Sequence, residues 1–279
     1  MYLKGACIFL INREFDNFNE KINNLNLKIL EHGCLNAGND WNFHSLRSPF
    51  NRLYFVISGK AYIKNKDNDI ELKSGYIYLV PLNNTYDYTC NSYLNKFYIH
   101  FRLELLPGQD LFEGWSNCSY VPIDVNKIKE LVEYAKSNQI SELIKCKSIF
   151  LKYLSDFIKP QAAKLQEQMR ISAKYAPIYR YILDNCFADL RVTDIAKNFN
   201  MQMSTLSKNF KNDTGLTLKR FIDNKIIQKA QEQLLLTSLP VKDIAFSLKF
   251  LDEFHFSKFF KKHVGICPNS YRQRNNTYK

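Results

Sequence analysis

The chain holds five histidines and seven cysteines, the residue types that most often hold a metal or act as nucleophile. Their spacing supports neither role. His32, His44, His100, His255 and His263 form no ligand cluster along the chain, and a metal site needs three or four convergent ligands. The cysteines at 7, 34, 90, 118, 146, 186 and 267 make no CxxC pair. An odd count at irregular spacing argues against a disulfide framework or zinc finger and fits reduced thiols in a cytoplasmic protein. "SGKAY" lacks the spacing of a phosphate loop, and no Ser/His/Asp set stands out. The expectation is no metal, no cofactor and no catalytic residue.

What remains is polar and cationic chemistry near the C-terminal end, and it occurs twice. Ser204, Thr205, Ser207 and Lys208 form one set; Glu253, His255, Ser257 and Lys258 form the other. Such groups meet base edges when a helix lies in the major groove of DNA. Lys211, Lys219, Arg220, Lys261, Lys262 and Arg272 flank them and would neutralise phosphates. The two sets belong to a repeat. Val192 and Asp194-Ile195-Ala196 recur as Val241 and Asp243-Ile244-Ala245, an offset of 49. Leu206-Ser207-Lys208, Phe210-Lys211, Gly215 and Phe221 then match Phe256-Ser257-Lys258, Phe260-Lys261, Gly265 and Tyr271, an offset of 50. Two copies of one supersecondary unit are expected.

The elements that must position these residues follow from periodicity. Each copy reads as a short helix with a small inner Ala (193–199; 241–248), a turn (200–202; 249–251) and a second helix. The second helix buries Met203, Leu206 and Phe210 in the first copy, and Phe256, Phe259 and Phe260 in the second. The charge agrees: 172–279 holds 18 Lys and Arg against 9 Asp and Glu, a net +9 of the chain's +12. A basic terminal domain is the footprint of a nucleic-acid binder, although such domains also meet membranes and acidic proteins. The plainer alternative is a helix bundle with a solvated polar face.

Residues 1–122 read as β-rich, with apolar runs at 53–57, 61–63, 70–72 and 76–80 between turn signals. An antiparallel sandwich or barrel is expected. The apolar run 5–11 after Lys4 faintly suggests a signal peptide, but it lacks a cleavage site and reads as a strand. No stretch approaches the roughly 20 apolar residues of a membrane helix. Helical spacing predicts helices over 124–138 and 141–158, the second ended by Pro160. Polar, Gln- and Lys-rich 161–172 reads as a linker. The expected organisation is an α+β chain of two domains, 1–160 and 174–279, joined by a linker over 161–173.

The stretches TDIAKNFNMQMSTLSKNFKNDTGLTLKRFI, KAQEQLLLTSLPVKDIAF and FLDEFHFSKFFKKHVGICPNSYR resemble the DNA-binding domain of the AraC/XylS family. The resemblance implies two recognition helices in successive major grooves on one face of the duplex, about 34 Å apart. A linking helix of about 20 residues over 217–236, about 30 Å long, suits that spacing. Two positions depart from the family. Lys249 stands where Gly is usual, and a non-Gly residue at positive φ costs about 1 kcal/mol. Ile226 stands where Arg is usual, with Lys225 beside it. Phe254 suits packing against its own domain better than base reading, with a thymine methyl as the other option.

YFVISGKAYIKN, IELKSGYIYLVPLNNTYDY and FYIHF resemble the cupin-like sensor barrel of the same family. The resemblance implies a small effector inside the barrel, with Trp41, His44, Arg52, Tyr54, Tyr62, Tyr78 and Tyr98 as candidate lining residues. Aromatic faces and Arg suit a sugar, while each tyrosine also reads as an ordinary strand residue. Enzymatic cupins bind metal through an HxH pair, a Glu and a later His. Here His44 stands alone, Asn51-Arg52 carries no HxH, and Tyr86 occupies the usual place of the later His. The function expected is a ligand-responsive, sequence-specific DNA-binding transcription regulator. Its implied partners are double-stranded DNA, RNA polymerase and a second copy docked through the helices of 124–158, with no membrane. The alternatives are a metal-dependent cupin enzyme with an accessory helical domain, and a DNA-repair or structural protein, which would need a reactive Cys setting.

Overall fold

The computed structural model describes residues 22–275 except 24 and 107. The strand expected at 5–11 lies outside the described residues. Among the described residues nine strands precede the long helices: β1 (Asn26–Ala37), β2 (Phe43–Arg47), β3 (Asn51–Lys64), β4 (Asp69–Lys73), β5 (Tyr76–Val80), β6 (Thr85–Thr89), β7 (Leu94–Leu106), β8 (Gln109–Asp110) and β9 (Ser119–Pro122).

The runs 53–57 and 61–63, expected as two strands, are one strand, β3. Ser58-Gly59 is not a turn but a bulge, marked by a register shift against β7 between Val56 and Ser58. Gly59 has φ +80, and a Cβ there would lie 2.2 Å from the Tyr93 carbonyl oxygen. Only glycine fits that approach. Before the bulge β3 pairs with β7 and β5; its pairing with β7 runs on to Gly59, and from Lys60 it pairs with β4 and β6. The main path is β1-β7-β3-β5-β9, with β2, β4, β6 and β8 off it. Its end strands β1 and β9 do not pair, so the barrel expected from the sequence is an open antiparallel sheet that folds at the bulge.

Alternation along β3 and β7 gives the sheet two different faces. Leu53, Phe55, Phe97, Ile99 and Phe101 face one way and pack on two helices, α1 (Val125–Lys136) and α2 (Ile140–Ile158). Asp124 caps α1 by accepting from Asn126 N at 2.8 Å. Tyr54, Val56 and Tyr98 face the other way, into an aromatic core with Trp41, Tyr78 and Tyr88.

α2 ends at Ile158, just ahead of Pro160, but Pro160 does not end the helical course. It sits in a one-turn 3-10 segment, Lys159–Gln161, where its fixed φ is tolerated, and α3 (Ala162–Ala173) follows at once. The expected linker is thus helical. Its polarity reads as a loop, but Ala, Leu, Gln and Glu are strong helix formers and 161–173 holds no Gly or Pro.

Among the described residues seven further helices follow: α4 (Ala176–Asp184), α5 (Val192–Asn198), α6 (Met203–Thr214), α7 (Leu218–Leu236), α8 (Val241–Ser247), α9 (Glu253–Val264) and α10 (Pro268–Asn275). They surround one apolar core. The helical part touches the sheet: Arg102 Nε lies 2.8 Å from Glu232 Oε1, and Tyr271 OH donates to the Arg47 carbonyl at 3.0 Å. Among the described residues no helix is long and apolar enough to cross a membrane.

Candidate nucleic-acid interface

Helices α5–α6 and α8–α9 form two copies of one bend. Asn200 (φ 50) and Lys249 (φ 57) occupy the same left-handed position in each. The same bonds fix both: Asn200 N to Lys197 O at 3.2 Å and Met201 N to Ala196 O at 2.9 Å, then Lys249 N to Phe246 O and Phe250 N to Ala245 O, both 2.9 Å. Asn tolerates this conformation; Lys does not, at about 1 kcal/mol. Lys249 Nζ lies 4.2 Å from the Phe187 ring centroid, and a cation–π contact of about 0.5–1 kcal/mol offsets much of that strain. The second helices end alike at Gly215 (φ 74) and Gly265 (φ 90), whose N–H groups reach Lys211 O and Lys261 O.

Burial repeats as closely as sequence. Leu206 and Phe210, and Phe256 and Phe260, are fully buried. Phe259 is only half-buried. Two expectations fail here. Met203 was expected in the buried stripe, but it opens α6 ahead of the core and is 49% exposed. Phe254 was expected to pack inward and is 78% exposed. It precedes buried Phe256 by two residues, about 200° round the helix, on the opposite face. Leu251 is also exposed, as is its counterpart Met201, while Phe254 stands where the first copy has Ser204.

The eight polar residues of the reading faces are accessible. Ser204, Thr205, Lys208, Glu253, His255 and Lys258 are exposed, and Ser207 and Ser257 are half-buried. Asp252 accepts from His255 N at 2.6 Å and caps α9. Of the flanking cations, Lys211, Lys219, Arg220, Lys261 and Lys262 are exposed. Lys219 also pairs with Asp223 at 2.8 Å. Arg220 and Lys262 line a cleft of about 490 Å³ with Arg47 and Glu113 of the sheet domain. Arg272 is held differently: its Nε and Nη2 donate to the carbonyls of Leu234, in the last turn of α7, and Leu239, in the loop beyond it, at 3.0 and 2.5 Å. Lys225 and Ile226 are buried, and Lys225 Nζ donates to Gln228 at 3.3 Å and lies 3.8 Å from Glu113.

On the inner face of the sheet the structure gathers Trp41, Arg52, Tyr54 and Tyr98, all buried. Tyr78 joins them, but its hydroxyl is spent on backbone: it donates to Glu71 O at 2.9 Å and accepts from Lys73 N at 2.8 Å. Burial pushes its pKa up to about 12. His44 (85% exposed side chain) and Tyr62, bonded to Glu71 at 3.3 Å, lie elsewhere. Residues absent from the sequence reading complete the face. Lys96 is fully buried, with Nζ 3.3 Å from the Tyr54 ring centroid and 4.1 Å from that of Trp41. Arg52 donates to Tyr88 OH at 3.4 Å and to Ser48 Oγ. A desolvated cation–π contact is worth about 2 kcal/mol, against several kcal/mol to bury an ammonium.

His100 stacks on Phe50 at 4.8 Å and its Nδ1 lies 3.0 Å from Glu31 Oε2. Burial pushes its pKa from 6.5 down to about 4, despite the Glu31 hydrogen bond. The folded protein therefore keeps His100 neutral where the unfolded chain protonates. This stability is present above pH 6.5 and is lost as pH falls towards 4, at about 1.4 kcal/mol per unit and about 3 kcal/mol in all. Urea unfolding between these pH values is expected to show that fall, and His100→Gln to flatten it. An equally steep profile in the variant would remove His100 as the cause.

Among the described residues no three His, Cys, Asp or Glu side chains gather to hold a metal. A family model described as a helix-turn-helix domain matches residues 195–274. The Msm operon regulatory protein of Streptococcus mutans is 24% identical over 277 residues, covering 95% of this chain and 98% of its own. The transcriptional activator RhaS of Escherichia coli is 32% identical over 112 residues, 40% of each chain. A structure of ToxT from Vibrio cholerae, 16% identical, covers 89% of this chain and 99% of its own with a TM-score of 0.50, a likeness of fold. The C-terminal part is thus a tandem helix-turn-helix domain. Over this domain the chain is similar to transcription regulators such as RhaS.

Proposed function

We propose that the protein is a sequence-specific DNA-binding transcription regulator controlled by a small effector. The observation that carries this reading is the repeated bend, which leaves Ser204, Thr205, Ser207 and Lys208, then Glu253, His255, Ser257 and Lys258, accessible on two second helices. Those residues read base edges, and Lys211, Lys219, Arg220, Lys261 and Lys262 meet phosphates. The effector sits on the inner face of the sheet against Trp41, Arg52, Tyr54 and Tyr98, within a sensor domain over 1–160. Helical 161–173 joins it to the DNA-binding domain over 174–279. Ile140, Leu143 and Ile144, exposed on α2, supply the surface on which a second copy docks, multiplying affinity through effective concentration. RNA polymerase is the further partner.

The test is footprinting of the full chain on the DNA upstream of its own gene and its neighbours at low salt. A protected site of two adjacent major-groove segments is expected. Lys208→Ala and Lys258→Ala should each weaken it by tenfold or more, at about 1–3 kcal/mol per base contact, and each at its own half. Absence of any protected site sinks the reading.

A further inference from the structure

Among the described residues the inner face of the sheet brings two basic side chains together in the core. β7 places Lys96, Tyr98 and His100 on one side, at every second residue. β3 places Arg52 opposite His100, and Tyr54 opposite Tyr98. The permanent cation Arg52 and the basic side chain of Lys96 are thereby buried together. The nearby carboxylate, Glu31, is already engaged by His100 at 3.0 Å and Tyr98 at 3.4 Å. Lys96 Nζ and Trp41 Nε1 are both buried with no hydrogen-bond acceptor. The Tyr54 and Trp41 rings hold the ammonium by its charge, yet they accept none of its three N–H donors. Burial and the field of Arg52 push the Lys96 pKa well below its ordinary value. Buried donors without acceptors are costly and rare in native cores.

We propose that this face binds a small effector carrying a carboxylate or phosphate, its oxyanion held by Lys96 Nζ and the Arg52 guanidinium, with Trp41 Nε1 as a neutral donor. The inference rests on the reading of the sheet as the effector domain and deepens it by naming the ligand's charge. An oxyanion supplies acceptors for the two orphaned donors, Lys96 Nζ and Trp41 Nε1, and favours the charged form of Lys96. The tyrosines around it then meet the uncharged part of the ligand.

The test is thermal unfolding of the full chain with four probes at millimolar concentration: glucose, galacturonate, glucose 6-phosphate and inorganic phosphate. The expected result is an upward Tm shift of several degrees with galacturonate or glucose 6-phosphate, and none with glucose. Which of the two acts separates carboxylate from phosphate, and a shift with inorganic phosphate alone also supports the oxyanion site. Lys96→Met should abolish the shift while raising the Tm of the protein without probe, because it removes a buried, unpartnered ammonium. Trp41→Phe keeps a ring and should weaken the active probe about tenfold.

Two results overturn the proposal. One is a shift with glucose as large as with the acidic probes and preserved in Lys96→Met; the effector reading would then stand and its charge would fall. The other is no shift with any acidic probe, joined to a lower Tm for Lys96→Met, which makes Lys96 a structural cation–π residue. Footprinting decides the regulator reading separately, since it is performed without any probe.

Discussion

Raising the salt concentration from about 50 to about 200 mM is expected to weaken DNA binding several hundredfold. The reason is the cation set that the fold leaves exposed. Lys211, Lys219, Arg220, Lys261 and Lys262 are exposed around the two second helices. Each phosphate neutralised contributes about −0.9 to the slope of log affinity against log salt, so five give about −4.5. Arg272 is left out because its guanidinium is bonded to the Leu234 and Leu239 carbonyls. Lys211→Gln and Lys261→Gln should therefore each flatten the slope by about one. Arg272→Gln should leave the slope alone and destabilise the domain, since it strips acceptors at and just beyond the end of α7 of their donors. Fluorescence anisotropy of a labelled duplex across a salt series measures all of this. A slope near zero in the unsubstituted protein, or an unchanged slope in both lysine variants, would show that these cations do not meet phosphates.

The helix-turn-helix repeat was legible in the sequence because each copy must solve the same packing problem with the same chain. A small Ala196 or Ala245 lets two helices cross closely, and Gly215 or Gly265 ends the second. Such constraints write themselves into residue type at fixed spacing. The outer ends of these helices were less legible. Met203 and Phe254 are apolar, and apolar residues within a periodic stretch read as core, whereas both are exposed. The sheet was legible as strands but not in its connections. Ser58-Gly59 carries the same signal for a turn and for a bulge, and only the approach of Tyr93 decides between them. Lys96 was invisible for a similar reason. A lysine in a strand ordinarily faces water; its burial follows from the register with β1 and β3, which pairs it with Leu35 and Val56. His100 and Glu31 lie 69 positions apart, and no local pattern joins them.

Phe260→Ala and Phe210→Ala are each expected to destabilise the DNA-binding domain by about 3–5 kcal/mol. Both rings are fully buried, so truncation loses transfer energy and leaves a cavity. Phe210 packs against Tyr175 at 5.0 Å, Phe221 at 5.7 Å and Tyr179 at 6.0 Å. Phe260 packs against Tyr271 at 5.4 Å and Phe256 at 5.8 Å. The two sites lie in different copies of the repeat yet in one continuous core, joined by Phe221, Ile222, Ile226, Ala230 and Leu234 of α7. The copies should therefore unfold together, and either substitution should shift the same transition in urea. A domain has about 5–15 kcal/mol to lose, so each variant approaches the margin and DNA binding fails with the fold. Phe254→Ala provides the contrast. Its ring is exposed, so stability should change by no more than about 0.5 kcal/mol, and any loss of DNA affinity would come from the reading face itself. Circular dichroism at a helix-sensitive wavelength follows the transitions. Two resolved transitions, with each phenylalanine moving only its own, would mean that α7 separates the two units rather than fusing them.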